Sequence, residues 1–123
     1  MIKENDSFVI LDFFKKYGRC MESMTKVTKL FPSVICKDGF EMSVQASQFH
    51  LCSPDTEEAE KNLDYDTVEV YLSEDIKGDT LGHLEYGINS HVFVEYIDEI
   101  INVHGGIDNE AVEKRIKERN KSE

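Results

Sequence analysis

The chain has 123 residues and a mass of 14.2 kDa, with 40% hydrophobic and 10% aromatic side chains, seven Gly and two Pro. That is enough apolar material for one compact domain, and it excludes disordered, collagen-like and proline-rich linker chains. A net charge of −11, from 14 basic and 25 acidic residues, argues against a nucleic-acid binder working by phosphate neutralisation.

Residues 7–17 are expected to form a helix. Asp6 or Ser7 serves as the cap, Ile10, Phe13, Phe14 and Tyr17 follow helical spacing, and Gly18 supplies the left-handed stop. Phe8, Val9 and Leu11 widen its apolar face toward burial on more than one side. The opening is not a secretory signal, because Lys3, Glu4, Asp6 and Asp12 break its apolar run. No stretch approaches the roughly 18 apolar residues of a membrane span. Residues 19–31 have no clean period; Lys26, Thr28 and Leu30 are a weak strand candidate, with Val27 and Lys29 on its other side.

The middle of the chain is the clearest β region. Residues 33–36 lead into Asp38-Gly39, a hairpin signal, after which Phe40, Met42, Val44 and Ala46 alternate with Glu41, Ser43, Gln45 and Ser47. Residues 48–52 either extend that strand past a bulge or turn away, and Pro54 ends it. Residues 55–66 form a polar, acidic loop with room for one helical turn. Val68, Val70 and Leu72 alternate with Glu69 and Tyr71, a further strand over 67–72. Residues 75–80, with Gly78, make a second turn, and 81–88 a fourth strand.

Ser90 is expected to cap a long helix whose stripe is Phe93, Tyr96, Ile97, Ile100, Ile101 and His104. Gly105-Gly106 ends it. Asp108 caps a last, highly charged helix anchored by Val112 and Ile116, with a Glu113–Lys117 pair one turn apart. The order of elements is α+β: an antiparallel sheet of three to five strands, with an N-terminal helix and one or two C-terminal helices on one face. Residues 1–107 form the domain and 108–123 a charged helical tail. There is no internal repeat.

The charge is unevenly placed. Residues 1–50 carry +1, residues 51–110 carry −14 and residues 111–123 carry +2. The acidic peak is Asp55, Glu57, Glu58, Glu60, Asp64, Asp66, Glu69, Glu74 and Asp75, with only Lys61 among them. Like charges packed this closely repel one another, and solubility alone is served better by mixing signs. These nine residues are either a solvated surface that keeps the protein soluble and monomeric or the candidate partner-binding set, suited to a protein with a basic, nucleic-acid-binding groove.

Chemistry-bearing constellations are sparse. Cys20, Cys36 and Cys52 are an odd, widely spaced set, expected as reduced thiols in the cytoplasm. His50 and Cys52 share a strand face, and Cys36 across the hairpin would have to join them, with His83, His91 or His104, to hold zinc. With no CxxC or HxxxH, the simpler reading is buried Cys acting as a small hydrophobe. A Cys–His nucleophile pair would need an oxyanion hole that the sequence does not announce. Glu85, between Leu84 and Tyr86, is the one acid in an apolar strand setting, and it is expected to face the surface. The 55–66 loop lacks the DxDxDG calcium spacing, and His104-Gly105-Gly106 is a helix C-cap. No cofactor is expected.

Residues 24–32, running into Cys36-Lys37-Asp38-Gly39-Phe40-Glu41-Met42-Ser43-Val44-Gln45-Ala46-Ser47, then His50-Leu51-Cys52-Ser53-Pro54 and the terminal His104-Gly105-Gly106-Ile107, form a pattern. It resembles a family of short proteins encoded in phages and prophages of Gram-positive bacteria, mostly uncharacterised. The resemblance covers roughly residues 20–55 and 90–107. It departs at Asp55, where that family often has a basic residue after Ser-Pro, so no phosphate-binding role is carried over. The resemblance implies a phage accessory protein, and small acidic proteins of that kind are often inhibitors of host defence. The resulting expectation is a protein of the host cytoplasm that binds a host defence nuclease of the CRISPR kind, with the acidic segment imitating phosphate charge. The alternatives are a nucleotide-signal sequestering protein using Lys15, Lys16, Arg19, Lys26 and Lys29, and a minor thiol or metal enzyme using Cys36, His50 and Cys52.

Overall fold

The computed structural model describes residues 8–22, 29–73 and 84–121. Helix α1 spans Val9–Tyr17 and is followed by two short strands, β1 (Met21–Glu22) and β2 (Lys29–Leu30). Then come β3 (Val34–Ile35), β4 (Glu41–Gln45), α2 (Glu57–Asn62), β5 (Thr67–Leu72), β6 (Gly87–Phe93), α3 (Val94–Val103) and α4 (Asn109–Lys121). β1 pairs with β2, and β3-β4-β5-β6 form a four-stranded antiparallel sheet. The fold is α+β.

The hairpin between β3 and β4 is where the Asp38-Gly39 signal puts it. Gly39 has φ 96°, its N–H donates to the Cys36 carbonyl, and the Asp38 side chain accepts from Phe40 N. Phe40, Met42, Val44 and Ala46 are all buried, and so are Val68, Val70 and Leu72 of β5. These side chains form the sheet's inner face. Ile10, Leu11, Phe13 and Phe14 of α1 and Val94, Ile97, Ile100 and Ile101 of α3 complete the same core.

Two sequence expectations need correction where β6 meets α3. The fourth strand is not 81–88 but Gly87–Phe93, and residues 81–83 lie outside the described residues. Ser90 sits in that strand rather than capping a helix, and the helix starts at Val94, with Phe93 as its extended N-cap residue. The cause is tertiary: β5 pairs from Thr67↔Phe93 to Leu72↔Gly87, interrupted by a bulge at His91. Cross-strand pairing thus takes residues whose spacing to Tyr96 and Ile97 looks helical.

The first helix is capped from elsewhere. Asp6 and Ser7 lie outside the described residues, and Phe8, the N-cap residue, makes no side-chain cap bond. Instead Asp98 of α3 accepts from Val9 N at 2.8 Å and Ile10 N at 3.0 Å, with its carboxylate nearly buried. A negative charge on orphan N–H groups is where the helix dipole favours it.

The far end of α3 closes equally tightly. Gly106 N bonds the Ile101 carbonyl and Gly105 N the Asn102 carbonyl, both glycines at φ near 90°. This double-bonded stop turns the chain back to β3, where Lys37 N donates to the Gly106 carbonyl and Asp108 N to the Ile35 carbonyl. Asp108 then accepts from Ala111 N and caps α4. Val112 is fully buried, and Arg115 donates to both oxygens of Glu41 at 2.6 and 3.1 Å, a bidentate pair. Tyr17 Oη lies 2.8 Å from Asn109 Oδ1 and 3.1 Å from Glu113 Oε2. Its phenol is pushed up to about 12, by burial first and by Glu113 second.

Asp98→Ala should cost about 1–3 kcal/mol, because it leaves two backbone donors unsatisfied, read as a lower urea midpoint. Ile97→Ala, in a fully buried position, should cost about 2–5 kcal/mol in the same measurement.

Candidate functional site

The acidic segment is built on α2. Thr56 caps it, with Oγ1 accepting from Ala59 N at 3.1 Å, and Glu57, Glu58 and Glu60 occupy the first turn. Ala59 is its buried residue, so it pins the helix to the body while Glu57 and Glu58 point to water. Asp55, Asp64 and Asp66 are exposed on its two flanks. Pro54, Thr56, Glu58, Ala59, Asn62 and Asp64 line a shallow, open depression of about 250 Å³ beside them.

The other four residues of the nine stand differently. Glu74 and Asp75 lie outside the described residues. Glu60 and Glu69 are half-buried and hold the loop between β4 and α2: Glu60 Oε2 accepts from Gln48 N at 2.8 Å and Glu69 Oε1 from Leu51 N at 3.0 Å. Glu58 and Asp64 thus meet at one depression, and Asp55, Glu57 and Asp66 are exposed on α2 and its flanks. Glu60 and Glu69 shape the loop beside them.

That loop also settles what His50 and Cys52 do. Residues 48–52 turn away from β4 rather than extending it. Ser47 Oγ accepts from Phe49 N and lies 2.7 Å from His50 Nδ1, while the Cys52 thiol donates to the Ser47 carbonyl at 3.1 Å. Burial lowers the His50 pKa and raises that of the Cys52 thiol, so each is held in its neutral form. Cys36 lies past the opposite end of β4, about 15–20 Å of extended chain away. Burial, helped by the Asp38 charge, pushes its thiol up to about 12. Cys20 is exposed. Among the described residues no group of three His, Cys, Asp or Glu side chains is placed to hold a metal ion.

Arg19 donates to the Ala46 carbonyl at 2.9 Å and to Tyr65 Oη at 3.1 Å, and its guanidinium lies over the Phe31 ring. Lys16 sits over its neighbour Tyr17, Lys15 and Lys29 are exposed, and Lys26 lies outside the described residues. Glu85 is exposed, and Asn89 Oδ1 accepts from its backbone N–H. His83 lies outside the described residues. His91 is exposed, with Nδ1 3.2 Å from Thr67 Oγ1.

His104 is buried at the α3 stop. Its ring stacks on Phe40 at 4.1 Å, and Nδ1 lies 2.6 Å from Asp38 Oδ2. The bond from Phe40 N, followed by His104, holds the Asp38 carboxyl below the usual aspartate range. The quoted hairpin motif and the His-Gly-Gly motif are therefore one structural unit, although about 65 residues separate them. Sequence reasoning also missed Asp98, whose signal was available: it sits four residues after Val94 and three before Ile101, an acid inside the apolar stripe.

Of the three thiols, Cys20 should react with a disulfide reagent at about pH 8 far faster than the others. Cys36 and Cys52 should react only as denaturant opens the fold. Rapid labelling of all three in buffer would contradict the burial described here.

Among the described residues no helix is long and apolar enough to cross a membrane. Comparison of the chain with family models, curated proteins and solved structures returns no match.

Proposed function

We propose that this chain is a small binding protein that occupies the basic nucleic-acid groove of another protein, a host defence nuclease of the CRISPR kind, and so inhibits it. The observation that supports this reading is the exposure of Asp55, Glu57, Glu58, Asp64 and Asp66 on α2 and its flanks. Lys61, exposed on α2, is the one Lys or Arg between Lys37 and Lys77, so the net field there is negative. Such a field steers a basic groove into encounter, and it competes with phosphates for the same Lys and Arg side chains. Glu60 and Glu69 take backbone hydrogen bonds and are not part of the imitating set.

The test uses a purified RNA-guided DNA nuclease loaded with its guide, with DNA cleavage and association rate as readouts. Wild-type protein should block cleavage, and its association should slow about tenfold or more from low to high salt. The variant carrying Asp55→Asn, Glu57→Gln, Glu58→Gln, Asp64→Asn and Asp66→Asn should associate about tenfold more slowly at low salt, with its off-rate changed less. Its folding stability should be unchanged or slightly raised. Full inhibition by that variant, with an unchanged on-rate, would overturn the reading.

A further inference from the structure

The outer face of the sheet carries a second surface that the acidic segment does not explain. In β5, Val68, Val70 and Leu72 point to the core, so Thr67, Glu69 and Tyr71 point the other way. Register places Ile88 opposite Tyr71 and Phe93 opposite Thr67, on that same outer face. Tyr86 precedes Ile88 by two residues. The 47–53 loop crosses this face near Glu69, with Leu51 N on the Glu69 carboxylate and the Leu51 carbonyl on His91 N. It sets Leu51 on that side, and Phe49 precedes Leu51 by two residues in the same loop.

These six side chains are exposed by 49 to 77%. Among the described residues the other large exposed hydrophobics are Val9 and Val103 on helices. An aromatic side chain carries about 150–250 Å², so the six leave several hundred Å² of apolar surface in water. The three that register fixes on one face, Tyr71, Ile88 and Phe93, supply by themselves a patch at the lower end of the roughly 300–600 Å² found on a typical monomer. A hydrophobic pair such as Tyr71 and Ile88, directly opposite each other on adjacent strands, is a rigid anchor and not a flexible loop tip.

We infer that this outer face is a docking surface for a protein whose contact patch is apolar at its centre and ringed by Lys and Arg. The charge around the face selects that occupant. Glu69 stands on it and the exposed Asp66, Glu85 and Glu95 border it, while Arg19, whose charge reaches His50 and Cys52 in the crossing loop, is turned to the Ala46 carbonyl and Tyr65 Oη. A second copy of this chain would meet the face through a two-fold contact, setting the acidic frame against itself. Nucleic acid would meet the same repulsion. A basic, apolar protein patch satisfies both the rings and the carboxylates, with carboxylates on the rim and aromatic anchors at the centre. The inference stands on the sheet face and does not require α2 to meet any partner.

Two soluble peptides of equal length and charge test it, one alternating Lys and Trp and one alternating Lys and Ser. Wild-type protein should bind the Lys–Trp peptide about tenfold or more tightly than the Lys–Ser peptide, as expected when buried rings anchor the contact. Tyr71→Ser with Ile88→Ser should erase that difference, while Val103→Ser, on another surface, should preserve it. Amide chemical shifts of the unmutated protein provide a readout independent of variant folding: the Lys–Trp peptide should move Tyr71, Tyr86, Ile88 and Phe93. Equal affinity for the two peptides, or shifts confined to α2, would overturn the inference. So would a dimer in sedimentation that Ile88→Ser dissolves, because a second copy would then be the occupant.

Discussion

One carboxylate, that of Asp98, fixes how the helical layer sits on the sheet. It leaves α3 and binds the first two N–H groups of α1, across a separation of 88 and 89 residues. An aspartate that is only 9% exposed is costly unless its charge is met, and here two backbone donors and a helix dipole meet it. The arrangement sets the relative translation of α1 and α3. With that translation set, Phe13 and Phe14 are carried into the core, and Phe14 stacks on Phe31 with ring centres 3.9 Å apart. Shifting α3 by one turn would bury the charge against hydrocarbon and leave the α1 donors bare, so the register has no near-degenerate alternative.

A second closure acts at the other end of α3. The glycine stop hands its Gly106 carbonyl to Lys37 N, and His104 reaches Asp38 while stacking on Phe40. The β3–β4 hairpin is thereby clamped to the helix that lies over the sheet. Asp108 continues the chain directly into α4, which Arg115 ties to Glu41 of β4. The charged terminal helix is thus joined to the same hairpin from its other side. Each contact is modest and partly exposed, but together they link local turns into one cooperative unit.

What the sequence made legible follows the range of the interaction. The alternation of 67–72 and of Phe40 to Ala46, the Asp38-Gly39 turn, the Gly105-Gly106 stop and the Asp108 cap are local patterns, and the structure contains them all. The start of α3 was not legible, because Phe93 fits a helical stripe as well as a strand and only pairing with Thr67 decides between them. Asp98 stood out as an acid inside an apolar stripe, but what it caps was hidden, since no local rule links residue 9 to residue 98. In the candidate site the concentration of acid was plain from charge counted in blocks. The removal of Glu60 and Glu69 from it was not, because their acceptor role depends on a loop that folds back over β5.

Two populations stand out among the described carboxylates. Asp38, Glu41, Glu60, Glu69, Asp98 and Asp108 each hold a named N–H or guanidinium, and each contact lowers the free energy of the fold. Asp55, Glu57, Glu58 and Asp66 face water on a six-residue helix and its flanks. The dipole of so short a helix offsets only part of their mutual repulsion. The exposed rings of the outer sheet face are a parallel case, since ordering apolar surface in water gives the isolated chain nothing. Crowded carboxylates and uncovered rings both raise the free energy of the protein on its own. Contact with a basic surface relieves the first, and an apolar centre within that surface relieves the second. The partner proposed above, cationic at its rim and hydrophobic within, would answer both departures from what folding alone favours.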